Sequence, residues 1–266
     1  MNFKFKKVGL IALAALAIGL TGCSNNKSTK KTTPVLTKSE VIQKSQKSFK
    51  SGQVIQSVRL STDTSSQSVI ANTTFGGDNS TVFHINNQTT AQGKTRNSEE
   101  WVNMNNVFLN GGHTWYRSNL DTLSGHTYAE LVSAIMSNDT INNPSSKLVK
   151  AYKMTRKGQT YTLNAKLSDK KTMKKALDPI VSTLGQTPEQ EKLFRRMQKY
   201  GTYQNMTVKL VVKNNKLYSC NIFINMKLGK LNKARFGQSF GNFGSHDFLK
   251  VPSNALAAKP LPKSSK

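Results

Sequence analysis

Cysteine is almost missing from this chain: Cys23 and Cys220 are the only two in 266 residues. That excludes a disulfide-stapled scaffold and a zinc ribbon. Acid is scarce as well, with 13 Asp and Glu set against 39 Lys and Arg, a formal charge of +26. The patterns that carry common chemistries are absent: His-Glu-x-x-His, Gly-x-Ser-x-Gly and a glycine-rich dinucleotide fingerprint do not occur. Gly93-Lys94-Thr95 imitates the end of a P-loop, yet Gln88 stands where its first glycine belongs. His84, His113, His126 and His246 lie far apart and read as turn or strand-surface residues. Glu99-Glu100 is the one adjacent acidic pair, and strand neighbours point to opposite faces, so it is a poor acid–base pair. The expectation is a non-catalytic protein with no cofactor and no metal.

Long apolar runs are also few, and the longest opens the chain. Met1–Lys7 is basic, and Val8–Leu20 carries no charge. As a helix that run spans roughly 20 Å, short of a bilayer core of about 30 Å, so it reads as a signal peptide. Leu20-Thr21-Gly22-Cys23 follows it and resembles the bacterial lipobox. The resemblance implies a diacylglycerol thioether on Cys23 and cleavage before it. The expected location is therefore outside the cytoplasm, on the outer face of the cell membrane, held by an N-terminal lipid.

With residues 1–22 as signal peptide, residues 23–36 read as a flexible tether rich in Ser, Thr, Asn and Lys. A domain is expected over 37–259 and a disordered tail over 260–266. Thr37 and Glu40 have capping-box spacing, and Val41, Ile42, Ser45 and Phe49 form a stripe ended by Gly52. The apolar period then falls from 3.6 to 2. Strands are expected at Val54–Leu60, Ser68–Phe75, Thr81–Asn86, Lys94–Asn103, Asn106–Leu109 and Thr114–Arg117. Turns are expected at Gly76-Gly77-Asp78, Asn86-Asn87 and Gly111-Gly112. Helices interrupt this meander at Tyr128–Ser137, Ser168–Leu184 and Pro188–Lys199, with a hairpin of Lys147–Thr155 and Gln159–Leu167 among them. Strands Asn205–Lys213 and Lys216–Leu228 follow, joined by Asn214-Asn215, before a Phe-rich run from Phe236 to Phe248. Cys220 falls in an apolar alternation and reads as a small buried hydrophobe.

One helix, a long antiparallel meander, inserted helices and a late hairpin form a pattern. Its local texture includes Trp101-Val102, Thr114-Trp115-Tyr116-Arg117 and Val251-Pro252-Ser253-Asn254-Ala255-Leu256. Over Thr37–Lys259 it resembles the Gram-positive lipoproteins that share the lipoprotein-carrier half-barrel of LolA and LppX. The resemblance implies an α+β fold, a strongly curved antiparallel sheet wrapped around a few helices, with an apolar cavity that takes an acyl chain or lipid. One-sided apolar faces suit such a cavity: Leu163 and Leu167; Val208 and Leu210; Ile222, Ile224 and Met226. The same alternation suits a plain packed core.

The expected activity is binding or carriage of a hydrophobic or amphipathic ligand by a monomer. The alternative is a basic envelope module that engages anionic wall polymers or phospholipid headgroups, on runs such as Lys170-Lys171 with Lys174-Lys175. Nucleic acid is not an expected partner of an exported lipoprotein.

Overall fold

Two meanders meet in the middle of one sheet. In the computed structural model, residues 35–46, 49–184 and 188–262 are described, and Leu36–Lys266 cluster as one compact unit. The leader, Cys23, the tether up to residue 34 and the last four residues of the tail lie outside the described residues.

The chain starts with α1 (Lys38–Ser45), where Thr37 and Glu40 form the expected capping box. It then runs β1 (Gly52–Ser61), β2 (Ser66–Gly76), β3 (Val82–Ala91), β4 (Lys94–Val102), β5 (Val107–Asn110) and β6 (Trp115–Ser118). Four helices follow the first meander, α2 (Leu120–Ser124), α3 (Tyr128–Met136), α4 (Asp139–Asn142) and α5 (Ser146–Ala151), and after β7 (Lys153–Lys157) and β8 (Thr160–Leu167) comes α6 (Lys170–Leu184). Then come α7 (Pro188–Tyr200), β9 (Thr202–Lys213), β10 (Lys216–Leu228), β11 (Leu231–Gly241), α8 (Ser253–Leu256) and β12 (Lys259–Pro260). The strands form a single 12-stranded sheet ordered β12-β6-β5-β4-β3-β2-β1-β11-β10-β9-β8-β7. It is antiparallel except for the β12–β6 pair, and β7 and β12 end it without closing on each other. This is the open, curved sheet around a few helices that the resemblance implied.

Three details differ from the sequence reading. Asn86-Asn87 is not a turn but mid-strand, with Asn86 opposite Asn72 and Asn87 opposite Ala71. The turn falls at Gln92-Gly93, both with positive φ, the conformation a two-residue hairpin needs. Lys147–Ala151 is helical rather than extended, because Ser145 caps it by accepting from the Leu148 N–H. The Phe-rich run contributes β11, which inserts between β1 and β10 and joins the two meanders.

The inner face is buried mainly by α6. Met173, Ala176, Leu177, Ile180, Val181 and Leu184 recur at helical spacing and are all buried in the main apolar cluster. Asp169 accepts from the N–H and hydroxyl of Thr172 and starts the helix. Those bonds and the Lys147 ammonium hold the Asp169 carboxyl well below the usual range, with Lys147 the largest cause.

Candidate functional site

Cross-strand register decides which side chains share a wall. Val54, Phe240, Cys220, Leu210 and Leu163 lie in one inner row, and Val58, Phe236, Ile224, Met206 and Leu167 in another. Between them run Gln56, Gln238, Ile222, Val208 and Ala165. Thus Leu163, Leu167, Val208, Leu210, Ile222, Ile224 and Met226 all sit on the inner face. Leu167 is half-buried and the other six are buried, in one cluster with α6. They form the sheet side of the core, and α6 occupies the space opposite them. Cys220 belongs to the same wall, and burial pushes its thiol up to about 12, which leaves it protonated and unreactive.

The inner face reaches a small crevice where α7 lies over β1 and β2. There Val58, Leu60 and Val69 face Leu193 and Phe194, with Gln67 and Gln190 alongside, around a crevice of about 10 Å³. That is about the space of one water. Helix α7 is held down by Phe194 and Met197, both buried, and Phe194 meets Phe236 edge-on at 5.9 Å. Its other side carries Lys192, Arg196 and Lys199 into solvent.

A polar seam runs through the apolar core, a feature that strand alternation alone did not reveal. Gln56 Nε2 donates to Thr183 Oγ1 at 2.8 Å, and Thr183 Oγ1 donates to the Pro179 carbonyl at 2.7 Å. Asn138 Nδ2 donates to Gln238 Oε1 at 2.9 Å while its own Oδ1 caps α4. Gln238 Nε2 is buried and finds no acceptor among the described residues.

On the far side of α6 lies a groove of about 550 Å³ floored by α6 and walled by α3 and α7. Its charges are largely paired: Lys175 with Asp139 at 2.9 Å and Arg195 with Asp178 at 3.3 Å. Glu130 is bound into the α3 cap, where the Thr127 N–H keeps its carboxyl below the usual range. Lys171 and Lys174 line the same groove without an ion-pair partner among the described residues. The groove also holds the hydroxyls of Ser133, Ser137 and Ser182, and among the described residues Ser182 donates to backbone carbonyls of α6 rather than to a carboxylate. The two glutamates of β4 do face opposite ways. Glu99 meets His84 at 2.9 Å on the outer face, and Glu100 accepts from Asn87 at 2.9 Å on the inner one. Among the described residues no three His, Cys, Asp or Glu side chains gather as a metal site. No helix among them is long and apolar enough to cross a membrane.

The profile of DUF6612, a family of unknown function, matches residues 31–259. The chain belongs to that family. No curated protein matches this DUF6612 sequence. Among solved structures it is similar to LprF from Mycobacterium bovis, at 13% identity and a TM-score of 0.45, over 82% of this chain and 97% of that one. It is also similar to a LolA superfamily protein from Nitrosomonas europaea, at 10% identity and a TM-score of 0.25, over 82% and 96% of the two chains. The architecture of this DUF6612 member stands on its own strand order.

Proposed function

We propose that this protein is a lipoprotein anchored through Cys23 to the outer face of a Gram-positive cell membrane. Its half-barrel binds or carries a lipid-like ligand without catalysing a reaction. The supporting observation is the crevice between α7 and the β1–β2 wall, where an apolar inner face meets a helix held by a few side chains. An acyl chain enters there by parting α7 from the sheet. Lifting α7 exposes Leu193, Phe194 and Met197, at about 2 kcal/mol each. A chain of fourteen methylenes recovers about 0.8 kcal/mol per buried CH₂, on the order of 11 kcal/mol. The exchange is therefore favourable for a long chain and unfavourable for a short one.

The test uses a Cys23→Ser protein carrying Gln67→Cys and Gln190→Cys, joined or not by a short thiol cross-linker. Cys220 is buried and stays out of the reaction. Native mass spectrometry after incubation with envelope lipid should show a bound lipid mass in the unlinked protein and none in the linked one. No bound lipid in either form would sink the reading. The anchor has its own check, a diacylglycerol mass on the mature N-terminal peptide that Cys23→Ser removes.

A second reading, a basic module that engages anionic envelope polymers, is favoured by where the carboxylates are. Strands β1, β2, β3 and β7 to β11 contain no Asp or Glu at all. In β4 the pair Glu99 and Glu100 supplies the only acids of the sheet.

A further inference from the structure

The outer face of the sheet carries an inference that builds on that second reading and gives it a place. Register puts Lys153, Asn164, Lys209, Asn221 and Ser239 in one outward row across five strands. The next row holds Lys166, Thr207, Phe223 and Gly237, and the one after it pairs Arg235 with Arg59. Lys153, Lys166, Lys209, Arg235 and Arg59 are exposed. Not one is in an ion pair among the described residues, whereas in the helix groove Lys175 and Arg195 are paired and Lys171 and Lys174 are not. A groove of about 560 Å³ lies between the three lysines, with Asn164, Thr207 and Asn221 along it.

This patch is built rather than accidental. Gly237 has no side chain because the Phe223 ring lies over it: a Cβ there would come within 2.7 Å of the ring. The Arg235 guanidinium sits over that ring, 4.2 Å from its centre, in a cation–π contact. Neighbouring strands are about 4.8 Å apart, which places Lys153 and Lys209, two strands apart, about 10 Å from each other. That is close to the Debye length at physiological salt, so their potentials add. The remaining polar groups on the rows are amides and hydroxyls, which donate and accept hydrogen bonds but carry no opposing charge.

We infer that this outer face docks a linear polyanion whose repeats join a phosphodiester to a polyol. Charge complementarity selects the phosphates, and the Asn, Ser and Thr side chains match the hydroxyls. Shape decides between a polymer and a bilayer. Around β8 to β11 and β1 the helix α6 lies against the inner, concave side, so the outer side there is convex and a planar membrane touches only its crest. A flexible chain follows the curve from β7 to β1 and meets each cation in turn.

The experiment measures binding of purified poly(glycerol phosphate) to the full-length protein in neutral detergent, between 50 and 200 mM salt. One variant is Lys153→Gln/Lys166→Gln/Lys209→Gln. The other, Lys171→Gln/Lys174→Gln/Lys175→Gln, removes the same charge from the helix groove. The outer variant should bind roughly tenfold or more weakly at the lower salt, and the slope of log K against log salt should shallow by about 2. The groove variant should stay within about twofold of the native protein. Arg at the three outer positions should restore binding, and this separates lost charge from lost folding. Equal losses in both variants would overturn the outer face while leaving the basic-module reading in place. No polymer binding by the native protein would overturn both. Capture of phosphatidylglycerol vesicles through the outer lysines, without polymer binding, would also overturn it in favour of a bilayer.

Discussion

The two halves of the sheet solve the same burial problem on opposite sides. Around β8 to β11 and β1 the inner face is apolar and covered by α6, and the outer face is left to lysine, arginine and amides. Around β3 to β6 the inner face continues as far as Phe83, Val102 and Val107, then turns polar at Asn87 and Glu100. There the outer face carries an apolar cluster of its own beside the His84–Glu99 pair. Val82, Trp101 and Phe108 form a separate cluster closed by Ala255 and Ala258 from the C-terminal segment, with Leu249 and Val251 beside them. Apolar cover is therefore local to each half, and the chain supplies it twice, from helices inside and from a strap outside. The half with the strap also holds the only carboxylates in the sheet, which leaves the other half's outer face free of opposing charge.

Removing a central ring from each half should break the molecule differently. The largest effect is expected from Phe236→Ala, in the helix-covered half, where the ring is fully buried against Phe194. Such a truncation costs about 4 kcal/mol, and the urea midpoint should fall with little change in m. Phe108→Ala, under the strap, should cost about 3 kcal/mol. Its signature is local: amide exchange should quicken in β3–β6 and at residues 253–258, with β8–β11 left protected. Uniform quickening across the sheet would show that the two halves are one cooperative layer.

The smallest effect concerns the polar inner wall. Desolvation raises the Glu100 carboxyl above its ordinary value of 4.5, and the Asn87 bond offsets only part of this. The native state therefore holds that proton more tightly than the unfolded chain. Its stability is full below pH 4.5 and declines as pH rises through the raised value. Glu100→Gln keeps the Asn87 contact without the charge and should gain about 1 kcal/mol at pH 7. The gain should vanish in melts below pH 4.5, and an unchanged difference at low pH would refute the assignment.

How legible these features were depends on the range of the interaction. Local signals read well. Asn214-Asn215 adopts positive φ at both positions, and the Thr37–Glu40 cap forms as its spacing implied. Asn86-Asn87 misled because Asn favours turns, whereas here Asn87 is kept in a strand by its bond to Glu100. The alternation of Leu163, Leu210 and Ile224 identified an inner wall, yet the packing of α6 on it depends on the whole fold. The outer cationic rows were hidden for a related reason. Lys153, Lys166 and Lys209 belong to three different strands, and only register brings them together.

The position of β11 bears on how the molecule is made. Each meander is built from hairpins that can zip as soon as they are synthesised, but the seam pairs Gln53 with Gly241, near the other end of the chain. Until that late strand arrives, β1 and β10 both present bare backbone edges, the arrangement most prone to pairing with a stranger. Such distant contacts also slow folding. A chain interrupted before residue 231 would thus be two sticky half-sheets rather than a smaller version of the protein, and the last long strand to emerge is the one that makes the molecule safe in company.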